Sequence, residues 1–497
     1  MKLPLISITN RPKQHSSADV LFHAVTDNED FQRDALNLKA GQRISKICGG
    51  NESSKKHVLA KVFDRATQIV ERGGGESPLR AFWPQTFVLP LDRERAIAEL
   101  EKNKKRKKGA RKTFILKPSG GSQGEGILLV QDAAALVAAR GRRSYVLQRY
   151  VGDCHLLPGL ARKWDIRAYV TVASLDPPRV LLHREGLVRF ATAEYEPPHA
   201  GNLHNTMSHL TNYSLNKRSE NYVNGEAGGE GGGSKRALSS CLQIPGFLPA
   251  GMTSPDLYAS LASLAHYTMA ALLPLLRTNR HTSSRGGNPL LLSGSFQTFG
   301  LDVLVDERGG TWLLEANSNP SMRLDHEGER SEVDERVKGS VMEEVLREVG
   351  GGVGGGVGGG GGVGSGVIDV SSGDGCAAWS SYARVFSKLA GVHRFLFARP
   401  GGGSARTGKS FSLTLAAFRR LVGAIGRGGE NHVYDLVHQK YARGWREERD
   451  AEDLGELKSD FDVMDLYELL EAVGKADGGS VEEIADRALA AAAAEGR

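Results

Sequence analysis

Cysteine is scarce in this chain: Cys48, Cys154, Cys241 and Cys376 are scattered through 497 residues, and no CxxC pair occurs. That spacing excludes a disulfide framework and a cysteine-built zinc site. Long apolar runs are also missing. No stretch of the sequence approaches the ~20 continuous apolar residues that span a bilayer. Leu3–Ile8 is too short for a signal-peptide core and lacks a small-residue cleavage site after it. No intact D-x-D-x-D-G calcium loop is present. These absences exclude a membrane span, a secreted disulfide scaffold and a collagen-like rod, and they imply a soluble protein of a reducing, intracellular setting.

What is abundant is glycine, 62 residues, in a chain that is otherwise 40% hydrophobic and 25% charged. Such a composition is globular with low-complexity segments. Its length predicts two to four domains at roughly 100–200 residues each. Gly350–Gly366 is almost all glycine and reads as a linker, because it has nothing to bury and much backbone entropy to lose. Gly225–Gly233 reads as an insertion within the front part. The net charge of +6 is uneven: residues 367–497 hold 17 basic against 20 acidic residues, leaving 47 against 38 ahead of them. A basic front part favours an acidic partner, whether nucleic acid, an anionic membrane or an acidic protein tail.

The front part mixes strand and helix signals, which predicts an α+β or α/β body. Short apolar runs at Thr113–Lys117, Gly126–Val130, Tyr145–Gln148, Ile166–Ala173 and Val180–His183 read as strands. Leu257–Leu276 has helical periodicity despite Pro274. The region after Val367 reads as mainly helical.

The segment Phe299–Met322, FGLDVLVDERGGTWLLEANSNPSM, carries the sharpest chemistry. Arg308-Gly309-Gly310 supplies a turn between two apolar runs. A hairpin centred on Arg308 and Gly309 sets Asp302 opposite Glu315, and strand alternation turns Asn317 the same way as Glu315. Two facing carboxylates repel unless a cation lies between them, and Mg²⁺ takes such oxygen ligands while sharing phosphates. A solvated face in a shifted register is the bland alternative. In FILKPSGGSQGEGILLV, Lys117 precedes a Ser/Gly loop that can wrap phosphates, though such loops also serve as ordinary turns. Lys163, Asp165 and Arg167 in KWDIRAYV alternate onto one strand face, either solvated or facing ligand.

Together, KPSGGSQGEGI, VLQRYV, KWDIRAYV, REGLVRF, HLTNYSLNK and FGLDVLVD…WLLEANSNPS resemble the tubulin–tyrosine ligase-like family in order and approximate spacing, from about Gln42 to Gly350. HLTNYSLNK and REGLVRFAT resemble the glutamate-adding branch. The resemblance implies an ATP-grasp fold, two α+β lobes clamping ATP, here with a reduced N-terminal lobe. Residues 1–110 would be the N-terminal and central lobe, 111–349 the catalytic core, 350–366 a linker and 367–497 a separate helical region. It implies ATP and Mg²⁺, two ions, as cofactors. Lys117, Lys163, Gln123 and Gly124 would contact or cover phosphates, with Lys56 a further contact. Gln148, Arg149, Tyr150 and Val151 would line the adenine. Asp165, Thr211 and Asn212 would touch the nucleotide side, and Asp302, Glu315 and Asn317 would hold metal.

Arg167, Arg189 and Lys163 would be catalytic. Arg189, Tyr213, Ser214 and Lys235, the last with Arg236, would hold the incoming amino acid. The implied activity is tubulin polyglutamylation: a glutamate carboxylate becomes an acyl phosphate, and free L-glutamate displaces the phosphate. Acidic tubulin tails on microtubules would be the partner, rather than nucleic acid or a membrane. The setting would be the cytoplasm and cytoskeleton, including cilium or basal body. Alternatives are a glycine or tyrosine ligase, a ligase of a non-tubulin protein, or a non-catalytic microtubule-associated protein. The chain departs from the family pattern at Ser45–Cys48, where an Asn-His-Phe-Pro-like stretch is usual, and at Gln123, where Arg is common.

Two further segments stand outside this assignment. Lys102–Lys112 holds eight basic residues in eleven, as a nuclear signal, a docking patch or a solvated loop would. GSARTGKS, from Gly403 to Ser410, matches the P-loop pattern, but no Walker-B aspartate or βαβ unit follows, so it is assigned no nucleotide. Ser412–Val473 reads as a helical partner-binding or divergent EF-hand-like module.

Overall fold

The computed structural model describes residues 18–371, apart from 24–28, 73, 108–110, 121–125, 139–143, 217–218, 224–232, 280–287, 289, 327–328 and 351–365, and a few positions between 483 and 490. Two mixed α+β layers face each other. The smaller sheet has four strands in the order β3 (Thr86–Leu89), β6 (Tyr145–Arg149), β4 (Phe114–Pro118) and β5 (Leu128–Val130). All its pairings are antiparallel. One face buries Phe87, Leu89, Phe114, Leu116 and Leu147 under the helix Arg93–Lys104 through Ala96 and Leu100. The alternate residues Ile115, Lys117 and Gln148 therefore face the other way.

The larger sheet has eight strands. The path runs β1 (Val20–Leu21), β2 (Arg43–Ser45), β10 (Ser295–Val305), β7 (Trp164–Leu175), β8 (Pro178–Phe190) and β14 (Val367–Asp369). Strand β11 (Thr311–Asn317) pairs β10, and β9 (Lys235–Ala237) pairs β8. A small ribbon joins β12 (Asp325–His326) to β13 (Glu329–Arg330). Strand alternation gives the large sheet two different faces. Ile166, Val170, Val172, Val188, Phe299 and Leu301 pack on the helices Lys56–Arg72 and Ser254–Asn279. On the reverse face, Tyr169, Ala173, Leu181 and Leu187 lie under the helix Glu332–Gly350. That helix presents Val333, Val337, Val341, Val345 and Val349 as one stripe, the four-residue spacing that keeps side chains on one side.

Several elements run longer than their sequence signals. Strand β8 extends from the expected Val180–His183 to Phe190 and so absorbs REGLVRF. Ser254–Arg277 is long and apolar enough to cross a membrane by length and composition, contrary to the sequence expectation. Its Leu257, Leu261, Leu264, Ala265, Met269, Leu272 and Leu276 are buried in the protein core, which accounts for the apolar composition. The small sheet draws strands from both sides of residue 110, Thr86–Leu89 and Phe114–Pro118, and Val367–Asp369, placed beyond the linker, is a strand of the large sheet. The insertion 225–233 falls on undescribed residues except for Gly233, and GSARTGKS and Ser412–Val473 lie wholly outside the described residues.

Candidate active site

The hairpin brings its oxygen-bearing side chains together as expected, although its register beside the turn is one residue off a hairpin centred between Arg308 and Gly309. Asp302 is the register partner of Glu315, and Gly300 of Asn317. A bulge between Asp302 and Val303 shifts the register by one toward the turn, so Val303 pairs Leu313. Asn317 Nδ2 donates to Glu315 Oε1 at 3.1 Å, which fixes the two on the same side. Glu315 Oε2 lies 3.4 Å from Lys56 Nζ.

Beside the hairpin the large sheet carries a ladder of opposite charges. Asp302 is the cross-strand partner of Arg167, and Asp165 of Arg189. Arg167 Nε and Nη2 donate to Asp302 at 2.5 and 3.1 Å. Arg189 forks onto Asp165, with Nε at 2.8 Å, and its Nη2 also reaches Asp302 Oδ2 at 2.9 Å. Burial alone would push the Asp302 carboxyl up, but the two guanidiniums hold it far below the usual carboxylate range. Asp165 is raised, because burial outweighs the pull of Arg189. Gly300 lies on the same face as Asp302, and a Cβ there would come within 2.8 Å of Arg167 Cδ and 3.1 Å of Pro320 Cβ. The glycine leaves the lane through which Arg167 reaches Asp302.

The small sheet supplies the opposite wall. Lys117 Nζ donates to Gln148 Oε1 at 2.9 Å and to the Leu314 carbonyl, on the hairpin, at 3.1 Å. Burial lowers its pKa to about 8, against the pull of Glu315. Gln148 Nε2 donates in turn to Thr86 Oγ1, so this side chain orients the lysine. Lys163 Nζ donates to Tyr150 Oη at 2.8 Å and lies 4.0 Å from that ring's centroid. Burial lowers the Lys163 pKa too. Between the walls is a cavity lined by Ile115, Lys117, Gln148, Arg149, Tyr150, Val151, Lys163, Asp165, His209, Thr211, Asn212, Asp302, Leu314 and Glu315, among others.

Thus one cavity unites Lys117, Gln148 to Val151, Lys163, Asp165, Thr211, Asn212, Asp302 and Glu315. Arg149 lies at its exposed edge. Arg167 and Arg189 join through Asp302 and Asp165. Lys235 pairs with Arg189 across β8 and β9, but it forms a buried ion pair with Asp334. Arg236 does not accompany it. Strand alternation sends it to the other side, where its guanidinium lies over Phe190 and Nε donates to the Gly233 carbonyl. Gln123 and Gly124 lie outside the described residues, as do the side chains of Tyr213 and Ser214, whose backbone forms a short helical turn. The sequence reading passed over His57, Ser119 and Gly300. Only Gly300 carries a sequence signal, as a glycine inside an apolar strand run, the mark of a close approach.

Among the described residues, no three His, Cys, Asp or Glu side chains converge into a metal cage. The hairpin instead offers two carboxylates and an amide oxygen. Hard oxygen donors in an incomplete set fit Mg²⁺, which draws remaining ligands from water and phosphate.

An α+β body with a charged hairpin facing a buried lysine across a cavity has the features of a nucleotide-using enzyme. The chain belongs to the tubulin-tyrosine ligase family, whose match covers residues 35–352. It is 33% identical over 337 residues to human "Tubulin polyglutamylase TTLL11", covering 65% of this chain and 44% of that protein. It is also 34% identical over 309 residues to zebrafish (Danio rerio) "Tubulin polyglutamylase ttll6", covering 62% and 36% respectively. "Tubulin polyglutamylase TTLL7" of Xenopus tropicalis is 31% identical over 306 residues, covering 61% and 31%. The chain spans less than half the length of each of these relatives.

Proposed function

We propose that this chain is an ATP- and Mg²⁺-dependent ligase of ATP-grasp architecture that adds glutamate to glutamate side chains of tubulin tails. One observation carries the reading: the charged ladder of the large sheet and the buried Lys117 of the small sheet meet across one cavity. Lys56, Lys117, Lys163, Arg167 and Arg189 stand there against Asp165, Asp302 and Glu315. The excess of cations suits a net anionic magnesium nucleotide. Relatives named as tubulin polyglutamylases support the choice of substrate.

In this reading Asp302, Glu315 and Asn317 hold Mg²⁺, two ions, through oxygen. Bound Mg²⁺ supplies Lewis-acid neutralisation of the phosphate charge. Lys117 and Lys163 hold phosphate oxygens, and Gln148 keeps the Lys117 ammonium aimed. Gln148 to Val151 line the base. Thr211 and Asn212 bridge nucleotide and acceptor. Arg167 and Arg189 orient carboxylates, for which a guanidinium fork is suited. Arg189 and Lys235, adjacent across two strands, form the seat of the incoming dicarboxylate, with Tyr213 and Ser214 beside it. The acceptor carboxylate takes the phosphoryl group, and the incoming α-amine displaces phosphate as the amide forms. Water must be kept from that acyl phosphate, and the buried walls do so. The basic front part steers the acidic tail. The site of action is then the microtubule cytoskeleton of the cytoplasm.

The test is mass spectrometry of tubulin incubated with the protein, ATP, Mg²⁺ and a mixture of glutamate, glycine and tyrosine. Added mass in repeated steps of one glutamate residue is the expected result. Steps of glycine or tyrosine would overturn the substrate, and tubulin binding without added mass would overturn the catalytic reading.

A further inference from the structure

Two consecutive residues at the start of the helix Lys56–Arg72 reach the two walls of the cavity. Lys56 pairs with Glu315 on the large-sheet hairpin. His57 turns the other way and meets Ser119, which follows Lys117-Pro118 at the end of β4 in the small sheet. The helix itself is anchored in the large-sheet core by Leu59, Val62, Phe63, Ala66 and Val70. The His57–Ser119 contact therefore ties one layer to the other, two residues from the lysine that faces the cavity.

The His57 backbone N–H donates to Ser119 Oγ at 3.4 Å, so that oxygen is an acceptor there. The same oxygen is in contact with His57 Nδ1, and which of the two donates follows from the tautomer of the ring. Burial, with Lys61 and Lys55 nearby, lowers the His57 pKa to about 4, so the ring stays neutral. Ser119 is pinned from its other side, where its N–H donates to the Ser144 carbonyl at 2.8 Å. A backbone N–H in a helix's first turn has no partner within the helix, and here the other layer supplies one.

We propose that His57 is a positioning residue for the nucleotide: by fixing Ser119 it sets the end of β4, and with it Lys117, against the Leu314–Glu315 strand. This rests on the nucleotide-ligase reading given above. The residue touches no phosphate and transfers no proton to substrate.

The experiment uses the full chain and three variants. His57→Asn keeps a polar group, able to accept or to donate, in the place of Nδ1. His57→Phe keeps a ring and removes the polar atom. Ser119→Ala removes the partner. Affinity for a magnesium complex of a non-hydrolysable ATP analogue is read by calorimetry, followed by KM for ATP and for glutamate. His57→Phe and Ser119→Ala should each weaken analogue binding about tenfold, with little further loss when combined. His57→Asn should bind within about twofold of the natural protein. KM for glutamate should not move. Unchanged binding in His57→Phe, His57→Asn as weak as His57→Phe, or additive losses would each overturn the proposal. If His57→Phe does not fold, Ser119→Ala against His57→Asn decides. Analogue binding by the natural protein without glutamate transfer would sink the ligase reading alone, because the positioning claim is read in binding.

Discussion

The two walls of the cavity handle buried charge in opposite ways. On the large sheet, Asp165, Arg167, Arg189 and Asp302 neutralise one another across three strands, so no ligand is needed to keep them buried. On the small sheet, Lys117 donates to a neutral amide and a carbonyl, the direct partners it has among the described residues, and burial lowers its pKa. One wall is a rigid scaffold whose charges are already matched. The other holds a cation whose full charge is favoured once an anion arrives. Preorganisation and poised charge are thus divided between layers.

The largest test of that division is Glu315→Gln. It should reduce glutamate transfer by about 10³-fold or more while leaving the fold and tubulin binding intact, because a charged oxygen ligand is lost at the hairpin. Transfer measured by mass spectrometry at the natural rate would remove the metal assignment. Next comes a contrast of two substitutions. Asp302→Ala should destabilise by about 3–5 kcal/mol in urea denaturation, since Arg167 and Arg189 lose a buried shared partner. Lys117→Met should leave stability unchanged or raised, yet weaken ATP binding at least tenfold. Equal stability loss in both would erase the difference between the walls.

Smaller effects follow from pH and backbone. The charges facing Lys117 are Glu315, Lys56, Lys163 and Asp302. A lysine whose pKa drops to about 8 on folding binds fewer protons in the native than in the unfolded chain between there and the ordinary value of 10.5. Its burial is therefore least costly at the alkaline end, and stability attributable to it rises with pH across that window. Nucleotide affinity should move the other way, falling as pH rises through about 8, and calorimetry across pH reads it. Lys117→Arg should flatten the fall. Smallest is Gly309→Ala. Gly309 has φ +83° in the hairpin turn, so the substitution should cost about 1 kcal/mol in denaturation, with the register of Asp302 and Glu315 kept.

Much of this geometry can be read from local pattern. Arg308-Gly309-Gly310 marks the turn, and Asp302, Glu315 and Asn317 lie within sixteen residues of chain around it. The bulge beside Asp302 is invisible to the pattern, and it brings Asp302 opposite Glu315, because the register next to the turn would otherwise set Asp302 opposite Leu314. The charge ladder is not local. Arg167 meets Asp302 because β10 threads between β2 and β7, and no pattern within either strand selects that neighbour. The ion pair of Lys235 with Asp334 is not legible either, because Asp334 is almost a hundred residues further on. The separation of Lys235 from Arg236 was legible, since adjacent strand residues point to opposite faces. His57 could not be found, because one histidine among lysines at a helix start carries no periodic or motif signal.

The strand Val367–Asp369 changes what the glycine stretch before it does. That strand pairs with Leu181–His183, and the Arg184 N–H donates to the Gly366 carbonyl, while Gly350 ends a helix packed on the same sheet. The two described ends of the stretch, Gly350 and Gly366, are therefore tied to one body. Loop-closure entropy grows only with the logarithm of length, so doubling the glycine tract would cost about 0.6 kcal/mol.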